Sequence, residues 1–394
     1  MFPDQFVETA AGRSVPVEQG RWGFVPHGPP WDFEYSSELV ALLSEATMGL
    51  GALAATAEVY SGARLLVAPA MRIEAVSSSR IEGTRTSLEE LLRIERDPVA
   101  DEPSEDAREV INHVQAMDWG LRNLRRTGFT SRFIQALHGV LMRAMRGSVL
   151  SPGQYRSAQV YIGSGQGMAS ASYIPAPPGE VPGLMEKLAS YLQQPPADVP
   201  LLVQVALVHW FFEAVHPFAD GNGRVGRLLM TLTLCARDEL PAPVLYLSPF
   251  IEEHRQEYYD GLLGASRDGD FAGWIAFILR AVSVQSRSAS ATIRRIGALH
   301  DEMRERLRAE SRSVNLLALL DLLFENPFVS APQAARLMQV SDQTVRNLLD
   351  NLLEVGLVEQ FGERRRNRVF YAPRLLRMLQ EAARSGDRID TRIE

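Results

Sequence analysis

Residues 199–236 read VPLLVQVALVHWFFEAVHPFADGNGRVGRLLMTLTLCA, and the change of character inside this stretch decides the architecture. Residues 199–215 are apolar nearly all round, the pattern of a central, buried helix. Pro217 ends that helix, a polar glycine loop follows, and VGRLLMTLTLCARDEL opens the next one. The loop His216-Pro217-Phe218-Ala219-Asp220-Gly221-Asn222-Gly223-Arg224-Val225-Gly226-Arg227 carries the chemistry. Its glycines allow consecutive backbone N–H groups to face one point, an anion-binding nest at a helix N-terminus. Arg224 and Arg227 lie three apart on the new helix, so both guanidinium groups can reach one polyphosphate. Asp220 is the loop's single carboxylate, the hard oxygen ligand that Mg²⁺ bridging two phosphates requires. His216 is the side chain there able to take a proton near neutral pH. A base, a magnesium ligand, an anion nest and two arginines describe a phosphoryl- or nucleotidyl-transfer site.

Outward from the loop the chain reads as mostly α. Residues 1–35 are rich in Pro, Gly and aromatics, an arm laid over a folded body. Helical periodicity starts near Ser37, and VAPAMRIEAVSSSRIEGTRTSLEELL holds two helices. Gly83 suits the end of the first, and Thr86-Ser87-Leu88-Glu89 reads as a capping box for the second. SPGQYRSAQVYIGSGQGMASASYIPAPPGE breaks the periodicity and predicts a β-hairpin or irregular flap. Beyond the central helices, EEHRQEYYDGLLGAS and FAGWIAFILRAVSVQS continue the helical pattern. A charged segment then places Ile296, Leu299, Met303 and Leu307 along one helical stripe. The remainder, three helices and a two-stranded ribbon, describes a winged helix. The organisation expected is an N-terminal arm and helical region at 1–110, a core at 111–285, a helical connector at 286–312, a winged helix at 313–380 and a flexible tail at 381–394.

Composition narrows the chemistry. The 394 residues carry a formal net charge of −7, so no global basic field recruits nucleic acid or membrane. Lys187 is the only lysine, which removes Schiff-base and Walker-lysine chemistry elsewhere. Cys235 is the only cysteine, so no intramolecular disulfide and no multi-cysteine zinc site can form. The N-terminus lacks a basic start followed by an apolar run, and no stretch reads as a membrane span. A cytoplasmic protein is expected.

The loop resembles the signature of the Fic (Fic/Doc) family, His-x-Phe-x-Asp/Glu-Gly-Asn-Gly-Arg-x-x-Arg, at every specified position, and the likeness extends over roughly residues 35–285. The resemblance implies a helical Fic core with a short β-hairpin flap and a protein adenylyltransferase activity: AMP passes from ATP, with Mg²⁺, to a Tyr, Ser or Thr hydroxyl of a protein target or of the enzyme itself. By position, His216 is then the base and Asp220 the metal ligand. Gly221, Asn222 and Gly223 hold the α- and β-phosphates, Arg224 the β- and Arg227 the γ-phosphate, and Phe218 anchors the loop. Ser78-Ser79-Arg80-Ile81-Glu82-Gly83 resembles the family's inhibitory motif, in which Ser78 and Glu82 share a helix face and the glutamate pairs with Arg227. The backbone around Tyr161, Ile162 and Gly163 resembles the flap that receives the target as an added strand. Tyr258 and Tyr259 resemble a tyrosine pair that contacts adenine, although Ser266 stands where relatives carry asparagine; a core role fits both equally.

Three further readings stay open. The reverse reaction would use Glu82 to align a water and remove AMP. A nucleotide-sensing, DNA-binding regulator would use the winged helix, with Gln343, Arg346 and Asn347 as base readers and Arg364, Arg365, Arg366 and Arg368 on phosphates; an intact His216 argues against pure sensing. The same module equally fits protein docking, and a homodimer is compatible with all of these.

Overall fold

The computed structural model describes residues 11–384 apart from residues 30, 32, 60–63, 97–102, 146–150, 164–170, 311–312 and 363–367. The chain forms two compact units, one of Met1–Gly51, Asn112–Leu240 and Phe250–Val284, the other of Ala52–Ile111, Pro241–Pro249 and Gln285–Glu394.

The first unit is built around α7 (Leu201–Val215), the helix expected to be central. Trp210, Phe211 and Phe212 on it are fully buried, and burying side chains of this size contributes roughly 1.5–3 kcal/mol each. Polar tips fix the neighbours: Trp274 Nε1 of α11 (Phe271–Glu310) donates to the Ala206 carbonyl at 2.8 Å, and Trp210 Nε1 donates to Ser266 Oγ at 3.0 Å at the end of α10 (Arg255–Arg267). Against α7 pack α6 (Val181–Gln193) and α8 (Asn222–Ala236), and α5 (Ser131–Leu141) packs in turn on these two. Thr130 caps α5, its side chain accepting from the Phe133 N–H.

The N-terminal segment is more ordered than an irregular arm. Gly12–Pro16 and Trp22–Pro26 form an antiparallel hairpin, β1 and β2, with Ser14 opposite Phe24. The Phe24 N–H donates to the Ile174 carbonyl at 2.8 Å, so β2 also runs beside the chain that leaves the flap. Proline and glycine in this segment masked an edge pairing whose partners are far apart in sequence.

The second unit contains α2 (Arg64–Ile81) and α3 (Leu88–Arg96). Gly83 takes a left-handed φ of 102° after α2, the role expected of it. The cap of α3 is Ser87 rather than Thr86: its hydroxyl accepts from the Glu90 N–H at 3.1 Å. Ile296, Leu299, Met303 and Leu307 are all buried, as their stripe predicts, but they belong to the same continuous 40-residue helix α11 rather than to a separate connector.

The C-terminal elements run α12 (Val314–Glu325), β3 (Phe328–Ser330), α13 (Ala331–Met338), α14 (Asp342–Glu354), β4 (Glu359–Phe361), β5 (Val369–Tyr371) and α15 (Pro373–Ala382), with an antiparallel sheet ordered β3-β5-β4. The ribbon therefore gains a third strand, β3, which follows directly on α12. Ser341 caps α14, accepting from the Thr344 N–H at 3.1 Å. Gln343 and Asn347 hydrogen-bond to each other at 2.8 Å, and Arg346 lies 3.9 Å from Asp342. Arg368 donates to Gln360 at 2.7 Å and Asp350 at 3.2 Å and lies over the Phe370 ring, so it braces the sheet instead of extending from it. Arg364, Arg365 and Arg366 lie outside the described residues.

One sequence expectation needs correcting. Helix α1 (Ser37–Val59), with a mean hydropathy of 1.5 over its most apolar window, is long and apolar enough to cross a membrane by length and composition. Glu45 interrupts the run, so the stretch is not an uncharged one although it is apolar on average.

Candidate active site

The loop between α7 and α8 is held in shape from inside and from outside. His216 terminates α7 in the left-handed region, φ 49° and ψ 62°, where a non-glycine residue is disfavoured by roughly 1–2 kcal/mol. Its N–H still donates to the Phe212 carbonyl at 3.0 Å, completing the helix end. Gly221 takes φ 78° and starts α8. An added Cβ at Gly221 would stand 2.9 Å from Met142 Sδ, so glycine is required there for both conformation and space. The first N–H groups of α8 have no intrahelical acceptor by helix geometry and point toward the loop, which gives the N-terminus its anion affinity.

Asn222 departs from the role the resemblance implies. Its side chain is buried, Oδ1 accepting from the Phe218 N–H and Nδ2 donating to the Phe218 carbonyl, both at 2.9 Å. The amide thus closes the loop with its oxygen and one of its two N–H groups. Phe218 is fully buried, its ring stacked on His138 at 3.8 Å with a 3° interplanar angle, and anchors the loop as expected.

Two residues that motif reasoning missed complete the frame. His138 Nδ1 accepts from the Gly153 N–H at 2.9 Å, which leaves Nε2–H to donate to the Asp220 carbonyl at 3.1 Å. That tautomer is neutral, and burial pushes the His138 pKa down to about 4. Arg156 is buried and donates to the carbonyls of His216 at 2.8 Å, Val215 and Ala158 at 3.3 Å, and Ala176, while its own N–H donates to Pro217 at 2.9 Å. Burial lowers its pKa to about 10, so the guanidinium stays charged at neutral pH. A buried arginine within a Gly-Gln-Tyr-Arg turn is a signal that the sequence carried, but its acceptors lie up to 60 positions away. Arg156→Met should remove this clamp and cost roughly 3 kcal/mol or more, since hydrogen bonds to a charged group contribute about 1.5–3 kcal/mol each. Calorimetry should show a markedly lower Tm, and Arg156→Lys should not restore it, because one ammonium cannot span four carbonyls. An unchanged Tm for Arg156→Met would refute the clamp.

The charged groups converge on the α8 N-terminus. Arg224 and Arg227 are both 2 % exposed. Arg224 Nη2 lies 3.7 Å from Asp220 Oδ1 and 4.0 Å from Met142 Sδ. Asp220 Oδ1 accepts from the Gly221 N–H at 2.6 Å, while more than half of its side chain faces solvent. His113 of α4 (Glu105–Thr127) is buried close enough to both arginines that burial first, then Arg227 and Arg224, hold its pKa down at about 3. His209, seven positions before His216, is likewise held at about 3, by burial and by Arg227. A second positive charge is thus strongly opposed here, the field that a polyanion favours.

The tyrosine pair divides. Tyr258 is 1 % exposed and its hydroxyl lies 2.8 Å from His209 Nε2, which makes it a core residue tying α10 to α7. Ser266, standing at the expected asparagine position, is buried under Trp210. Tyr259 alone is open to a base, with Arg255 5.6 Å from its ring centre. In the flap, Ile162 exchanges backbone hydrogen bonds with Tyr173, N–H to carbonyl at 2.8 and 3.0 Å, a single antiparallel bridge in place of a full hairpin among the described residues. Antiparallel alternation turns the backbone of Tyr161 and Gly163 to the opposite edge. The Tyr173 hydroxyl donates to the Ala214 carbonyl at 2.9 Å and ties this bridge to α7. Ser78 is buried and Glu82 exposed at the end of α2. Burial pushes the Cys235 thiol up to about 12, which leaves it inert.

A profile of the Fic/DOC family matches residues 128–234, and one of the Fic/DOC family N-terminal region matches residues 40–122. The chain belongs to the Fic family. It is 32% identical over 127 residues to the protein adenylyltransferase Fic of Culex quinquefasciatus, covering 32% of this chain and 22% of the relative. It is 29% identical over 175 residues to the protein adenylyltransferase Fic of Drosophila melanogaster, covering 42% and 32%. The Fic chain thus spans between a fifth and a third of the length of these relatives. A crystal structure of a Fic family protein from Desulfovibrio desulfuricans G20 superposes with a TM-score of 0.57 at 24% identity, covering 88% of this chain and 98% of that one, and shares the fold.

Proposed function

We propose that this Fic protein transfers AMP from ATP to a hydroxyl group of a protein. The observation that carries the reading is the union, in one loop, of a base at the C-terminus of α7 with an anion-binding N-terminus of α8 flanked by the buried Arg224 and Arg227. The likeness to proteins named protein adenylyltransferase Fic supports it. In this reaction the hydroxyl oxygen attacks the α-phosphorus while His216 takes its proton; the bond from the α-phosphorus to the bridging oxygen breaks, and pyrophosphate leaves. The residues fit a magnesium ion: Asp220 offers a solvent-facing carboxylate beside the nest, and among the described residues no group of three or more acidic, His or Cys side chains could hold a metal by themselves. Such an ion would take its other ligands from phosphates and water and offset charge on the leaving group. Incubation with α-labelled ATP, then with γ-labelled ATP, tests the reading. Label retained on protein from the first and not from the second is expected; retention from neither, with any added protein, would refute it.

The inhibitory role of Ser78 and Glu82 rests on their sequence motif. Glu82→Gly should raise AMP incorporation severalfold or more with ATP affinity changed by less than about threefold, because in-line transfer depends on alignment more than on binding. Equal incorporation by wild type and variant would remove the inhibitory assignment, and Glu82→Gly/His216→Ala should be silent.

A further inference from the structure

Glu213 has no place in the Fic signature, yet it sits against the base. It lies one turn before His216 on α7, its side chain is 10% exposed, and Oε2 stands 3.8 Å from His216 Nδ1. Nδ1 is the buried ring nitrogen. The carboxylate is also seated against the next helix: a Cβ at Gly226 would fall 2.4 Å from Glu213 Oε1 and 2.9 Å from the His209 ring. Gly226 occupies one of the four unspecified positions of the signature, and its missing side chain is the space in which this carboxylate lies.

We propose that Glu213 is a positioning residue for His216, holding the Nδ1–H tautomer and stabilising the imidazolium that forms when the base takes the hydroxyl proton. The inference rests on the AMP-transfer reading above. General-base action needs a lone pair on the nitrogen that faces substrate, and the partner of the other nitrogen decides the tautomer. At 3.8 Å the contact is longer than a hydrogen bond, so it acts chiefly through charge. With the neutral ring that charge meets only a dipole, which favours N–H over a lone pair at Nδ1, and with the imidazolium it meets a full charge. The stabilisation therefore appears as the proton moves, which places it in turnover and not in ATP binding.

Glu213→Gln keeps the volume and removes the charge. Its kcat for AMP incorporation should fall by roughly 10–10²-fold, below the full contribution of a general base, while KM for ATP changes by less than about twofold. Gly226→Ala, which displaces the carboxylate, should lower kcat in the same direction. Nitrogen-15 spectra of histidine-labelled protein, with the His216 signal assigned by its loss in His216→Ala, should show Nδ1–H predominant in wild type and a shift toward the other tautomer in Glu213→Gln. An unaltered kcat, or a loss confined to KM, would overturn the proposal, as would an unaltered His216 spectrum. If the wild type transfers no AMP, the functional reading fails, and the spectra still decide the role of Glu213.

Discussion

His216→Ala should lower AMP transfer by a factor on the order of 10²–10⁴, the range a positioned general base supplies, while ATP continues to bind. The separation is expected because the groups assigned to phosphate do not depend on the imidazole. Arg224 and Arg227 are seated on α8, and the loop is closed by Asn222 on Phe218 and clamped by Arg156 on backbone carbonyls. None of these contacts uses the His216 side chain. Alanine also relaxes nothing at the left-handed φ of 49°, so the loop has no new reason to change course. Calorimetric titration with ATP and labelled-AMP incorporation should be run on the same preparation. Equal turnover by wild type and variant would remove His216 as the base; lost binding would instead make it part of the phosphate site.

The second large effect concerns pH. Three histidines of the first unit, His113, His138 and His209, have pKa values held at about 3, about 4 and about 3 against an ordinary 6.5, chiefly by burial. Unfolded, each takes a proton below about pH 6.5; folded, each refuses it until far lower. Their contribution to stability is therefore complete above pH 6.5 and is lost as pH falls from there toward 4. Each can cost up to about 1.4 kcal/mol per pH unit across that window, so the three together approach about 4 kcal/mol per unit. Against a typical domain stability of about 5–15 kcal/mol, unfolding of this unit is expected near pH 4–5. Thermal unfolding between pH 7.5 and 4.5 should show Tm falling with increasing slope, and His209→Gln should flatten that slope by about a third. A Tm constant from pH 7 to 5 would show that these rings accept protons in the folded state.

The features legible in the sequence are those set by local rules. The unbroken apolar run before His216 requires a buried helix whatever surrounds it, and α7 is one. The stripe from Ile296 to Leu307 repeats at helical spacing, and its members are buried together. Gly83 ends α2 because only a residue without a Cβ takes that φ readily. The loop between α7 and α8 was readable for the same reason: its histidine, carboxylate, glycines and two arginines lie within one turn-and-helix, so chain spacing alone brings them near each other.

What needed the tertiary structure was every choice between two chemically adequate uses of one side chain. The Asn222 amide can bind phosphate or backbone, and the close return of Phe218 gives it the backbone. Tyr258 can stack on a base or fill a core, and His209 across the helix interface claims its hydroxyl. Arg156 and His138 take their partners from segments distant in sequence, and the Glu213 carboxylate owes its seat to the space left by Gly226 on the next helix. The sequence by itself determined that a buried helix precedes His216 and that a glycine loop with one histidine, one carboxylate and two arginines follows it, since backbone sterics and apolar periodicity act over a few residues. Only packing decided which of those polar groups remain available to a substrate, because a buried donor or acceptor must be satisfied by whatever the fold brings within about 3 Å of it.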